Sequence, residues 1–212
     1  MPAHTAPWPY PFWIAHRGAG MLAPENTLAA FRLGAQHGYR MFECDAKLSA
    51  NGVPFLMHDA TLARTTNAVE TLATDATATG ADHAWAELSQ LDAGSWHSRA
   101  FAGEPLPTLE NAARFCRANG YALNIEIKPT PGTERRTGEV VAAYALRLWQ
   151  RASIAPLLTS FSRDALQGAR NSVRFAARLA ARHLACGRVA SRRCAGLRRR
   201  GLQPQRVEPR AG

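Results

Sequence analysis

The chain has 212 residues, 46% of them apolar, with 26 Lys or Arg against 16 Asp or Glu and a formal charge of +10. That length supports one sizeable domain around a single core, and the charge invites a nucleic-acid reading that its distribution argues against. Residues 171–212 alone hold 11 Arg, no Lys and one acid, Glu208, which leaves 15 basic and 15 acidic residues in 1–170. The imbalance therefore belongs to an Arg/Ala/Gly-rich tail with no aromatic after Phe175. So abrupt a change of composition reads as out-of-frame translation of a GC-rich gene. A basic arm for nucleic acid or an anionic surface is the alternative. Cys44, Cys116, Cys186 and Cys194 show no CxxC spacing, and no N-terminal apolar run reaches the length of a signal peptide or a membrane span, so the expectation is a reduced, cytoplasmic protein.

In chain order, Phe12–Ala15 is a short apolar run ending in His16-Arg17-Gly18, which predicts a buried strand delivering a polar loop. Asn26 or Thr27 can cap a helix that carries Leu28, Phe31 and Ala35 on one face and stops at Gly38. The stretch Arg40–Lys47 follows as a strand. Period two places Glu43, Asp45 and Lys47 on one side and Phe42, Cys44 and Ala46 on the other. Two acids on one face repel unless something positive lies between them, so alone they read as a solvated sheet edge or as ligands of a hard cation. Asn51-Gly52 signals a tight turn into Val53–Met57, and His58-Asp59 comes next.

From about 60 to 107 the pattern loosens and predicts an insertion of short elements. Thr108 then caps a helix through Cys116 that Asn119-Gly120 ends. The strand Tyr121–Lys128 puts Asn124, Glu126 and Lys128 on one face, a helix is predicted over Gly138–Arg151, a strand over Pro156–Phe161, and a helix over Ser162–Arg170. Strands alternating with helices imply a parallel α/β arrangement. Polar residues after strands fit a (β/α)8 barrel, of which five of the eight strands can be counted before residue 170.

The candidate site follows from these faces. Glu43, Asp45 and Glu126 supply hard oxygen ligands for one divalent ion, Mg²⁺ or Ca²⁺. Arg17 and Lys128 supply positive charge for a phosphate, and His16 and His58 have a pKa of roughly 6.5, suited to proton transfer near neutrality. Metal, cations and an acid/base pair together describe phosphoester chemistry.

These residues resemble the glycerophosphodiester phosphodiesterases over about residues 10–170. The resemblance is carried by His16-Arg17-Gly18, Pro24-Glu25-Asn26-Thr27, Glu43-Cys44-Asp45, His58-Asp59, Leu106–Asn111 and Glu126-Ile127-Lys128, in matching order and spacing. It implies a TIM-type barrel with an insertion at about 59–106 and hydrolysis of a small glycerophosphodiester to glycerol 3-phosphate and an alcohol, usually drawn through a cyclic phosphate. It further implies Glu43, Asp45 and Glu126 as metal ligands, His16 and His58 as the acid/base pair, Arg17 and Lys128 as phosphate contacts, and Glu25 as a positioning residue. Other metal phosphodiesterases on the same barrel, the phospholipase-D-like ones included, are the neighbouring reading. The resemblance leaves an incomplete barrel at 1–170, followed by a non-family tail at 171–212.

Overall fold

The computed structural model describes residues 8–150 and 152–172, all within one compact unit that spans Met1–Ala180. Its centre is β1 (Met41–Leu48), eight consecutive buried residues. Burial on both faces is what a strand inside a helix-covered parallel sheet requires. Strand β3 (Ala122–Ile127) pairs with it in parallel, and β4 (Leu157–Thr159) pairs in parallel with β3. The fourth strand, β2 (Pro54–Leu56), runs antiparallel to β1, with Ala46 opposite Leu56 and Leu48 opposite Pro54, giving the order β2-β1-β3-β4. The Asn-Gly turn explains that direction: Gly52 takes a left-handed φ of +79°, and Ser49 N–H donates to the Val53 carbonyl at 3.1 Å to close the hairpin.

The first of the five expected strands is reduced to one parallel bridge, Ala15 to Phe42, and Phe12 and Trp13 are exposed rather than buried. Pro11 cannot donate to a ladder, and among the described residues this segment has a neighbour on one side only. The bridge and β1, β3 and β4 nevertheless make a contiguous set of parallel positions, part of a (β/α)8 barrel.

Helices cover the outer face. They are α1 (Leu28–Gln36), α4 (Leu109–Ala118), α5 (Glu134–Leu148) and α6 (Arg163–Ser172). Thr27 rather than Asn26 caps α1, its hydroxyl accepting from Ala30 N–H at 3.2 Å, and Thr108 and Ser162 cap α4 and α6 as their sequences predict. Phe31, Phe42, Cys44, Ala46, Ile125 and Val141 are among the residues that fill the core between sheet and helices. Cys44 and Cys116 lie in it as free thiols. Helix α5 begins four residues before the expected Gly138. That glycine is an interior packing residue, because a Cβ there would lie 1.9 Å from the Ala165 carbonyl oxygen of α6.

Residues 60–106 carry only short pieces: α2 (Ala68–Thr71), α3 (Trp85–Leu88) and two 3₁₀ turns. Leu62, Ala68, Leu88, Leu91, Ala93 and Leu106 form a second core, anchored to the barrel by Phe55 of β2 and Met57 just after it. No helix among the described residues is long and apolar enough to cross a membrane. The Arg-rich 171–212 tail, apart from Asn171 and Ser172, lies outside the described residues, as does the basic-arm reading attached to it.

Candidate active site

The inner face of the sheet is built in layers. At the floor, Met41 stands level with Ala122 and clusters with Tyr10 and Leu157. One step up, Glu43 stands level with Asn124 and Leu157. Next, Asp45, Glu126 and Thr159 lie in register across three parallel strands. Above them, Lys47 and Lys128 form a basic tier: Lys128 Nζ lies 3.3 Å from Asp45 Oδ1 and 3.4 Å from Glu126 Oε1, and Lys47 Nζ lies 3.4 Å from the Lys128 carbonyl. The acidic tier therefore lies between an apolar floor and a basic rim.

Each of the eight residues singled out in the sequence comes to this face or its rim. Glu43, Asp45 and Glu126 each present a carboxylate oxygen within 4.8 Å of the others. Asp45 is 1% exposed and Glu43 7%. Glu43 Oε2 accepts from the Arg17 backbone N–H at 2.9 Å, but its Oε1 is buried without a hydrogen-bond partner. Burial, and the Asp45 carboxylate beside it, push the Glu43 pKa up to about 8. A buried carboxylate oxygen with nothing to bind, in a set of three hard oxygen donors, is the environment that a divalent cation satisfies.

The loop after Ala15 is set by close packing. Gly18 has φ +99°, and a Cβ on Gly34 of α1 would lie 2.2 Å from the Gly18 carbonyl oxygen, so only glycine lets helix and loop approach this closely. Arg17 beside it takes φ +51°, an uncommon conformation for a residue other than glycine. Its guanidinium lies 3.0 Å from Glu25 Oε1 and 3.5 Å from Asp45 Oδ2. His16 is 66% exposed at the rim, 3.9 Å from Glu43 Oε2. Desolvation and the neighbouring Arg17 lower its pKa, effects that the surrounding water screens.

His58 reaches the site by an unexpected route. Because β2 is antiparallel, the chain doubles back, and Met57 N–H donates to the Asp45 carbonyl at 2.9 Å. His58 Nδ1 then meets Asp59 Oδ1 at 2.8 Å.

Three further residues complete the geometry. Asn26, at φ +60° and 2% exposed, donates from Nδ2 to Asp45 Oδ2 at 2.9 Å and accepts the Asp45 backbone N–H at 3.0 Å. Lys47 is buried, and desolvation, helped by the Lys128 charge, brings its pKa down to about 8. Arg64 bonds to both Asp59 and Glu25. Lys47 was legible from its shared face with Asp45. Asn26 meets Asp45, and Arg64 meets Glu25, across separations that no local spacing relates.

A barrel sheet that gathers three carboxylates, cationic side chains and two histidines on its inner face and rim is an arrangement suited to phosphoester chemistry. Residues 16–182 match the Glycerophosphoryl diester phosphodiesterase family, and the chain belongs to that family. Among its relatives, human glycerophosphoinositol inositolphosphodiesterase is 52% identical over 88 residues, 42% of this chain and 16% of that protein. The YhdW protein of Bacillus subtilis is 35% identical over 137 residues, 64% of this chain and 53% of that protein. A phosphodiesterase from Oleispira antarctica, solved in complex with the product sn-glycerol-3-phosphate, superposes with a TM-score of 0.65 at 36% identity, covering 76% of this chain and 62% of that one. A glycerophosphodiester phosphodiesterase from Agrobacterium tumefaciens gives 0.63 at 33% identity, with 75% and 62% covered. The chain thus spans less than two thirds of the length of each of these relatives.

Proposed function

We propose that this chain hydrolyses glycerophosphodiesters to sn-glycerol 3-phosphate and an alcohol with the help of one divalent cation, Mg²⁺ or Ca²⁺. The observation that carries the reading is the convergence of Glu43, Asp45 and Glu126, with Glu43 Oε1 buried and partnerless and with Arg17 and Lys128 paired to Asp45. The relative solved with sn-glycerol 3-phosphate supports it.

In this reading Glu43, Asp45 and Glu126 hold the cation, which when bound supplies Lewis acidity and offsets charge on the phosphate oxygens. Arg17 and Lys128 bind and orient the phosphate, both already paired to site acids and so pre-positioned at the mouth. Glu25 fixes the Arg17 guanidinium. His16 and His58 exchange protons with the entering and leaving groups, and each is worth about 10²–10⁴ in rate. Asn26 holds Asp45 in place from both its carboxylate and its backbone. Headgroup choice and the preferred cation are further properties of the same site.

The test is release of sn-glycerol 3-phosphate from glycerophosphocholine, glycerophosphoethanolamine and glycerophosphoinositol by the purified, monodisperse chain, with Mg²⁺ or Ca²⁺ and with EDTA. Product that appears with a cation and disappears with chelator is expected. A folded chain releasing none from all three under either cation overturns the reading.

A further inference from the structure

Beside the triple-carboxylate pocket lies a second acidic group, Glu25, His58 and Asp59, whose ligand atoms also fall within 4.8 Å of one another. A cation is already there, and it is a residue. Arg64 places Nη2 2.7 Å from Glu25 Oε1 and Nη1 3.2 Å from Glu25 Oε2. Toward the other acid, Nη2 lies 2.9 Å from Asp59 Oδ1, and Nε bonds to Asp59 Oδ2. One planar fork thus spans two carboxylates, a geometry that Lys cannot reproduce.

Each carboxylate has a second task. Asp59 Oδ1 faces His58 Nδ1 at 2.8 Å, and because a carboxylate only accepts, that ring nitrogen carries the hydrogen and Nε2 is left bare in the neutral ring. Glu25 Oε1 takes the Arg17 guanidinium at 3.0 Å. Arg64 itself is held from behind, its guanidinium 5.5 Å from the Trp96 ring centroid, while Trp96 Nε1 donates to the Ala93 carbonyl at 2.9 Å. A chain of contacts therefore runs from the core of the 60–106 insertion through Trp96 and Arg64 to both sides of the site.

We propose that Arg64 is a positioning residue that fixes the His58 tautomer through Asp59 and the Arg17 guanidinium through Glu25, standing where a second metal ion would otherwise be drawn. That Arg64 matters to turnover rests on the hydrolase reading above; that it fixes the His58 ring does not. Surface ion pairs of this exposure add little stability, so the role shows in ring orientation and rate rather than in melting temperature.

The experiment is ¹⁵N NMR of the full chain with ¹⁵N-labelled histidine, the His58 resonances being assigned by their loss in His58→Gln. In the wild type the neutral His58 ring is expected predominantly as the Nδ1–H tautomer. In Arg64→Gln that tautomer is expected to fall toward the mixture of a free histidine, while kcat drops about 10–100-fold, the size typical of partners that orient site ligands, and guanidinium ion restores part of it where NaCl does not. Arg64→Lys, which keeps the charge but not the fork, serves if Arg64→Gln loses the fold, and partial loss of the tautomer is expected. An unchanged tautomer in a folded Arg64 variant, or a mixed tautomer in the wild type, overturns the proposal whatever the rate does. A wild type with a fixed His58 ring but no product release would sink the hydrolase reading alone.

Discussion

Asp45 is the most constrained side chain of the site, and the constraint comes largely from Asn26. Replacing Asn26 with Ala strips a buried carboxylate oxygen and a buried N–H of their partners at once, at about 1–3 kcal/mol for a buried group left unsatisfied. The left-handed backbone adds about 1 kcal/mol more for a residue without a short polar side chain. Asn26→Ala is therefore expected to lower the denaturant midpoint clearly, and an unchanged midpoint would show that water takes both bonds over. In the 60–106 insertion, Asp92 shows a different economy of bonds. Desolvation raises its pKa, but Ser95, Gly103 and Gly94 donate to its carboxylate and win, leaving it at about 2. A carboxyl with a depressed folded pKa contributes stability above its unfolded pKa of roughly 3.9 and loses that contribution as pH falls through the folded value. The stability difference between wild type and Asp92→Asn should thus be largest near neutrality and shrink between about pH 4 and pH 2, as melting curves across that range would show. At this scale the sequence exposes same-face relations such as Glu43 with Asp45 and Glu126 with Lys128, since period two is a local rule. It conceals Asn26 and Arg64, whose partners lie 19 and 39 positions away at Asp45 and Glu25 and are reached only through a positive φ or a loop path.

Among the elements, the α5–α6 contact shows how a punctuation residue can mislead. Gly138 looks like a helix boundary, yet it lies inside α5 so that the backbone of α6 can approach, and Gly168 returns the favour, with a Cβ there only 2.1 Å from the Arg135 carbonyl oxygen. Helix propensity would favour Gly138→Ala by about 1 kcal/mol, but a carbon 1.9 Å from a carbonyl oxygen forces the helices apart. Overpacking of this kind costs about 1–3 kcal/mol. Net destabilisation is expected, read as a fall in melting temperature, and a rise would mean that α6 shifts without loss. The β1–β2 hairpin was half-legible in the same way. Asn51-Gly52 announces a tight turn, but only the pairing of Ala46 with Leu56 shows that the third strand runs against the parallel grain and brings His58 back beside Asp45.

For the whole molecule, the relevant quantity is the charge gathered on one inner face. Three carboxylates within 4.8 Å of one another repel in the absence of a cation, so a divalent ion should stabilise the fold by RT ln(1 + [L]/Kd), about 2.7 kcal/mol at a hundredfold excess over Kd. In a chain of this size that corresponds to a rise in melting temperature of roughly 5–10 °C. The shift should appear with Mg²⁺ or Ca²⁺, vanish with EDTA and be absent from Asp45→Asn; a cation-independent melting temperature would remove the metal from the account. The barrel class was legible because strands alternate with helices on both sides of the loosely patterned 60–107 stretch. The edge segment Phe12–Ala15 was not, since burial of a terminal strand depends on what lies on its far side. One last property follows from the pairing of β1 with β3. The strand that contributes the third carboxylate, Glu126, also contributes Lys128 two residues later, whose ammonium reaches both Glu126 and Asp45. The strand that pairs with β1 therefore brings one negative and one positive group together, so the third acid adds no net charge to the site.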